Sequence, residues 1–133
     1  WPPAPFEQIG LTWAAENLAH DPDGVGWYGW ALLVDDGESR PPRIAGLAAL
    51  IGRPDDEGEV ELAFGLTPDM KGRGLGQATI RALAGWALKN GASRVIVHLD
   101  AEDVVTARTL ERSGFADTNQ PPYPGVSRWA LAA

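Results

Sequence analysis

Apolar residues alternate with other residue types from Glu59 to Leu66, so that Val60, Leu62, Phe64 and Leu66 share one side and Glu59, Glu61, Ala63 and Gly65 the other. A period of two is that of a strand with one buried face. Thr67-Pro68-Asp69 stops it, because proline offers no ladder donor and biases the residue before it towards extended geometry. Beyond Lys71-Gly72-Arg73-Gly74-Leu75-Gly76 the period changes: Ile80, Leu83, Ala84 and Ala87 repeat at helical spacing. The spacing predicts a helix over about Gly74 to Lys89, ended by Asn90-Gly91, two residues that tolerate a left-handed C-cap.

The flanking segments extend the pattern. Trp1-Pro2-Pro3-Ala4-Pro5 is an extended lead-in, and Phe6, Ile9 and Trp13, with Ala14 beside it, form one apolar stripe of a helix that ends near His20–Gly24. Trp27 to Val34 reads as a strand apolar on both faces, with Tyr28, Trp30, Leu32 and Val34 opposite Trp27, Ala31 and Leu33, and is expected to be covered on both sides. Asp35–Ser39 is a polar hairpin turn, Arg43–Gly52 a third apolar run, and Arg53–Gly58 an acidic turn into the Glu59 strand. Ser93–Leu99, centred on Val95, Ile96 and Val97, is a buried strand reached by a helical crossover and therefore expected to run parallel to Glu59–Leu66. Asp103 is placed to cap a helix running to about Ser113, which Gly114 breaks. From Phe115 to Ala133 a last hairpin, through Asn119–Gly125, leads to a strand at Ser127–Leu131. The sum is one α/β domain over 1–133 with a mixed, mostly antiparallel sheet.

Length and composition narrow the class. A chain of 133 residues suits one domain with one core. A net charge of −7 and a pI near 4.7 argue against a nucleic-acid surface, which is usually basic. Cysteine is absent, which removes disulfides and thiol nucleophiles from any mechanism. No apolar run approaches the ~20 residues that span a bilayer, and nothing resembles a signal peptide, so a soluble, cytoplasmic protein without a membrane partner is expected.

The order strand, glycine loop, helix makes an anion site. A helix begins with unpaired N–H groups and the positive end of its dipole, and glycines let a charged ligand approach the backbone. A phosphate or pyrophosphate fits there. No Gly-Lys-Ser/Thr follows the loop, which excludes the P-loop of nucleoside triphosphatases. The dinucleotide pattern Gly-x-Gly-x-x-Gly also fails, since Gln77 and Thr79 stand where its third small residue is needed.

Lys71-Gly72-Arg73-Gly74-Leu75-Gly76 resembles the pyrophosphate loop of the GNAT superfamily of N-acetyltransferases, Gln/Arg-x-x-Gly-x-Gly/Ala, with lysine at the first position. Downstream, Asp103-Val104-Val105-Thr106-Ala107-Arg108-Thr109-Leu110-Glu111-Arg112-Ser113-Gly114-Phe115 resembles Asn-x-x-Ser-x-x-x-Leu-Glu-Lys-x-Gly-Phe of the ribosomal-protein N-acetyltransferase branch. The resemblance implies the GNAT fold, with a further strand and part of a helix preceding Trp1, and a possible homodimer through the sheet edge so exposed. It implies acetyl-CoA as cosubstrate, with no metal, wedged between the Glu59–Leu66 strand and the next. The pantetheine arm would pair with backbone near Leu66 and Thr67, and the pyrophosphate with amides from Gly72 through Gly74, Leu75 and Gly76 to Gln77. Lys71 and Arg73 would add charge-assisted contacts, or be solvated loop cations. An amide near Leu66 would serve as oxyanion donor. Asp103 and Thr106 would lie near the cofactor, although Asp103 replaces the family's asparagine and has capping as a second role.

An attacking amine must be neutral, yet an alkylamine has a pKa of about 10, so a base or a relayed water is needed. Glu61 is the first candidate: it is on the polar register of its strand, where the resembling branch often carries glutamate, two residues from Glu59, whose like charge would raise its pKa. The alternative is that both glutamates face solvent. Leucine at 110 replaces the tyrosine that many family members use to protonate the departing thiolate, and Tyr28 and Tyr123 have no evident route to it. His20 and His98 lack metal-ligand spacing and read as structural. The expected activity is direct acetyl transfer to a primary amine, a protein N-terminus or a small amine, with a non-catalytic acyl-CoA-binding regulatory domain as the alternative.

Overall fold

A computed structural model of the chain describes residues 8–35, 41–66, 72 and 74–133, the first three by backbone alone. The elements in order are α1 (Gln8–His20), a 3₁₀ turn (Pro22–Gly24), β1 (Gly29–Val34), β2 (Arg43–Leu50), β3 (Glu59–Leu66), α2 (Leu75–Lys89), β4 (Arg94–Asp100), α3 (Val104–Arg112), β5 (Ala116–Asp117) and β6 (Val126–Ala132). Among the described residues six strands form one sheet in the order β1-β2-β3-β4-β6-β5. Only β3 and β4 run parallel, as a helical crossover through α2 requires; the other neighbours are antiparallel. Phe6 and the hairpin residues Asp36–Ser39 lie outside the described residues.

The two faces of the sheet carry different layers. Ala48, Leu50, Val60, Leu62, Val95, Val97 and Trp129 form one core with Ile80, Leu83, Ala84 and Ala87 of α2, the four positions whose spacing marked that helix. Burying one such side chain contributes about 1.5–3 kcal/mol, and this stripe, not intrinsic propensity, holds α2 to the sheet. Opposite, Leu47 and Ala49 pack with Trp13 of α1, whose neighbour Ala14 lies over Gly29. Past the C-cap Asn90, Gly91 takes φ +114° and the Ala92 amide donates back to the Ala87 carbonyl at 3.0 Å, the closure expected where a helix ends in a left-handed glycine.

β1 corrects the expectation of a strand covered on both sides. It lies at the sheet edge, begins only at Gly29, and leaves Leu33 61% exposed. Trp27 and Tyr28, which made the run look doubly buried, precede the strand and are buried at its root; the ring of Trp27 stands edge-on to Trp86 of α2 at 4.9 Å. No described helix is long and apolar enough to cross a membrane.

One polar cluster ties α1 to the sheet. Asp21 accepts from Arg53 Nε at 2.6 Å, from Arg53 Nη2 at 3.0 Å and from Tyr28 Oη at 2.8 Å, joining the end of α1, the root of β1 and the β2–β3 turn. The Arg53 hydrogen bond, helped by that of Tyr28, lowers the Asp21 pKa from 3.8 to about 2. A carboxyl whose folded pKa is depressed stabilises the fold above its unfolded pKa and loses that contribution as pH falls through the folded value. Asp21→Asn is therefore expected to melt at lower temperature than wild type at pH 7, with the gap closing as pH falls from about 4 to about 2. Thermal melts over that range check it.

Candidate active site

β3 and β4 share a ladder for three residues only, Glu59–Glu61 against Arg94–Ile96. Beyond it each keeps its other neighbour: β3 stays paired with β2 through Leu66, and β4 with β6 through Asp100. The two strands part, and a cleft of about 720 Å³ opens between Leu62–Leu66 and Val97–Asp100. The Glu61 carbonyl accepts from the Ile51 amide at 2.8 Å and so points away from β4. Peptide groups alternate in direction along a strand, so those of Leu62, Phe64 and Leu66 point across the gap.

The glycine loop closes one end. Gly74, at φ +74°, is the N-cap of α2, and no side chain caps it among the described residues. The first intrahelical amide is that of Ala78, donating to Gly74 at 3.2 Å, which leaves the amides of Leu75, Gly76 and Gln77 outside the helix ladder at the positive end of its dipole. Among the described residues a Cβ on Gly76 would meet only Phe64, at 3.8 Å, an ordinary contact distance. α3 forms the opposite wall with Asp103, Val105, Thr106, Thr109 and Arg112. Its N-cap is Asp103, whose carboxylate accepts from the Thr106 amide at 3.0 Å.

Of the residues singled out from the sequence, Leu66, Gly72, Gly74, Leu75, Gly76, Gln77, Asp103 and Thr106 all line the cleft. Thr67, Lys71 and Arg73 lie outside the described residues. Glu61 stands at the fork where the ladder ends, 40% exposed, with Oε1 at 3.0 Å from His98 Nδ1. Glu59 is 17% exposed and takes hydrogen bonds from Arg94 Nη1 at 3.0 Å and Arg128 Nη2 at 3.1 Å. Its carboxylate is thus held between two guanidinium groups.

His98 changes most between sequence and structure. It read as structural, yet it lines the cleft on the face opposite α2, 30% exposed. In the parallel register Glu61 faces Ile96, which sets His98 diagonally across from Glu61, a relation that no local pattern in the sequence shows. Arg112 and Thr109 also went unmarked as site residues, although both sit in the motif of α3. Leu110 is fully buried in the core and is not a wall of the cleft, and Tyr28, bonded to Asp21, and Tyr123 do not line it either. Among the described residues no group of three or more potential ligands is placed to hold a metal ion.

The acetyltransferase (GNAT) domain family model matches residues 1–116. The uncharacterized N-acetyltransferase YjdG of Bacillus subtilis is 24% identical over 116 residues, 86% of this chain; the chain spans 66% of that relative's length. Among solved structures, spermidine N-acetyltransferase from Vibrio cholerae, in complex with CoA and spermine, superposes with a TM-score of 0.73 at 17% identity, covering 99% of this chain and 79% of that one. The GNAT domain of S. lividans PAT superposes with a TM-score of 0.64 at 19% identity, covering 80% and 60%. These structural likenesses establish the fold, a mixed α/β sheet with helices on both faces, and the family model, spanning most of the chain, establishes the kinship: the chain belongs to the GNAT acetyltransferase family.

Proposed function

We propose that the chain, as one domain over 1–133, moves an acetyl group from acetyl-CoA to a primary amine by direct transfer, without a covalent enzyme intermediate. The observation that carries the reading is the parting of β3 from β4 beside the uncapped N-terminus of α2. Acetyl-CoA supplies an activated thioester on a long amide-bearing arm that ends in a pyrophosphate. The site fits such a molecule. Three amides at a helix N-terminus suit the pyrophosphate, and the unpaired edge of β3 suits the amides of the arm, as an added strand would be held.

The residues then divide the work. Leu75, Gly76 and Gln77 donate backbone amides to phosphate oxygens, Gly72 and Gly74 let those oxygens come close, and Lys71 and Arg73 add charge. Leu66 and Thr67 pair with the arm, and the Leu66 amide donates to the carbonyl oxygen as negative charge builds there. Asp103 orders the first turn of α3 by accepting from the Thr106 amide, and Thr106 lines the cleft. The proton acceptor is placed at the fork where Glu61 stands, on the face opposite α2, so cosubstrate and amine approach from opposite sides of the sheet. Glu59, held by Arg94 and Arg128, fixes the fork and takes no proton.

A small cationic amine is the favoured acceptor. A net charge of −7 attracts cations, and the Vibrio cholerae spermidine N-acetyltransferase structure is in complex with CoA and spermine. The likeness of α3 to the ribosomal-protein branch supports a protein N-terminus as the second acceptor class.

Calorimetric titration tests the cosubstrate. Acetyl-CoA and desulfo-CoA are expected to bind saturably and ATP not to, with thiol release when spermidine or an alanine-starting peptide is added. Binding without release to any amine would leave a regulatory acyl-CoA-binding domain. A second experiment separates binding from folding. Gly76→Glu removes a helix glycine and puts a carboxylate at the positive end of α2, so thermal stability is expected to hold or rise, by about 0.5–1 kcal/mol from the glycine alone. Acetyl-CoA affinity is expected to fall tenfold or more, because that carboxylate opposes the pyrophosphate. Unchanged affinity would remove the helix N-terminus from the site.

A further inference from the structure

We infer that His98, not Glu61, is the group that takes the proton from the attacking amine, and that Glu61 is the positioning residue that holds it. The assignment deepens the acetyl-transfer reading and rests on it. Three observations carry it. His98 lines the cleft, whereas Glu61 does not. Both sit where β3 and β4 part, on the face opposite α2. And His98 Nδ1 lies 3.0 Å from Glu61 Oε1. An ionised carboxylate only accepts, so this contact places the imidazole proton on Nδ1 and leaves the Nε2 lone pair free.

The surrounding charges agree with that orientation. Alternation along the strands puts Glu59 and Glu61 of β3, Arg94 and Asp100 of β4, and Arg128 of β6 on the same face as His98. Arg128 is opposite His98 in register, but its guanidinium is given to Glu59, as is that of Arg94. Glu61 is thus the carboxylate left to His98. It does for the imidazole what a carboxylate does for any oriented base: it fixes ring and tautomer and stabilises the cation that forms.

The transfer balances with the chain's own groups. His98 Nε2 accepts the proton that the amine nitrogen sheds as it bonds to the acyl carbon. The electron pair of the C–S bond leaves with sulfur, and His98 releases its proton to solvent, from which the thiolate is reprotonated. A thiol pKa near ~8.5 makes that thiolate a tolerable leaving group, so no tyrosine is required at 110.

Two readouts test the assignment. Long-range ¹H–¹⁵N spectra of the imidazole in unliganded protein are expected to show His98 as the Nδ1–H tautomer, with the Nε2–H form appearing in Glu61→Gln. In thiol-release kinetics with acetyl-CoA and the fastest amine of a panel that includes spermidine, His98→Asn is expected to lower kcat/KM by about 100-fold or more, the usual worth of a general base. Glu61→Gln should cost less, the double variant no more than His98→Asn, and acetyl-CoA affinity should stay within about twofold in all three, since neither side chain faces the phosphate end. An Nε2–H tautomer in the wild type, or full turnover in His98→Asn, overturns the assignment and leaves acetyl transfer standing. Full loss in Glu61→Gln together with full activity in His98→Asn gives the proton to Glu61. Should His98→Asn fail to fold, the wild-type tautomer and the Glu61→Gln kinetics decide. A wild type that binds acetyl-CoA but releases no thiol with any amine overturns the reading beneath it and the assignment with it.

Discussion

β3 and β4 hold together through three residue pairs and then separate, and each survives the separation because it has a second partner. A buried strand edge with unpaired N–H and C=O groups costs about 1–3 kcal/mol for each group left unsatisfied. Here the edge opens onto a cleft, where its groups can reach solvent or a ligand and need not stay unsatisfied. The fold keeps an adhesive edge in its interior without the aggregation hazard of an outer one.

That arrangement depends on the fork staying closed at its base. The Glu59 carboxylate, accepting from Arg94 of β4 and Arg128 of β6, spans both halves of the sheet at the first of the three shared pairs. On the other face, α2 lays its buried stripe across β3 and β4 together. Phe64 of β3 packs against the same core and its ring lies beside Gly76, so the strand edge and the free amides of the first turn of α2 stand next to one another. Core, cleft and loop are in this sense one construction.

Much of it was legible before any coordinates. The two-residue period of β3, the switch to helical spacing in α2, the cap at Asp103 and the parallel direction of β4 all follow from local rules, and the structure shows each. Periodicity could not supply register. Glu61 and His98 are 37 positions apart, and Glu59 and Arg128 69 apart, so a shift of one residue between β3 and β4 would have broken both contacts. β1 misled for a related reason: an apolar run reads the same in a central strand and an edge strand, and only the order of the sheet decides which faces are covered.

In the proposed complex the gap between β3 and β4 would receive the acyl-bearing arm and the first turn of α2 the phosphates. Backbone amide spectra recorded as acetyl-CoA is added test it most directly. Saturable shifts and slowed hydrogen exchange are expected at Leu62, Phe64 and Leu66 together with Leu75, Gly76 and Gln77, with little change along β1. Saturation with shifts confined to other surfaces, or at α2 with the β3 edge unmoved, would contradict it.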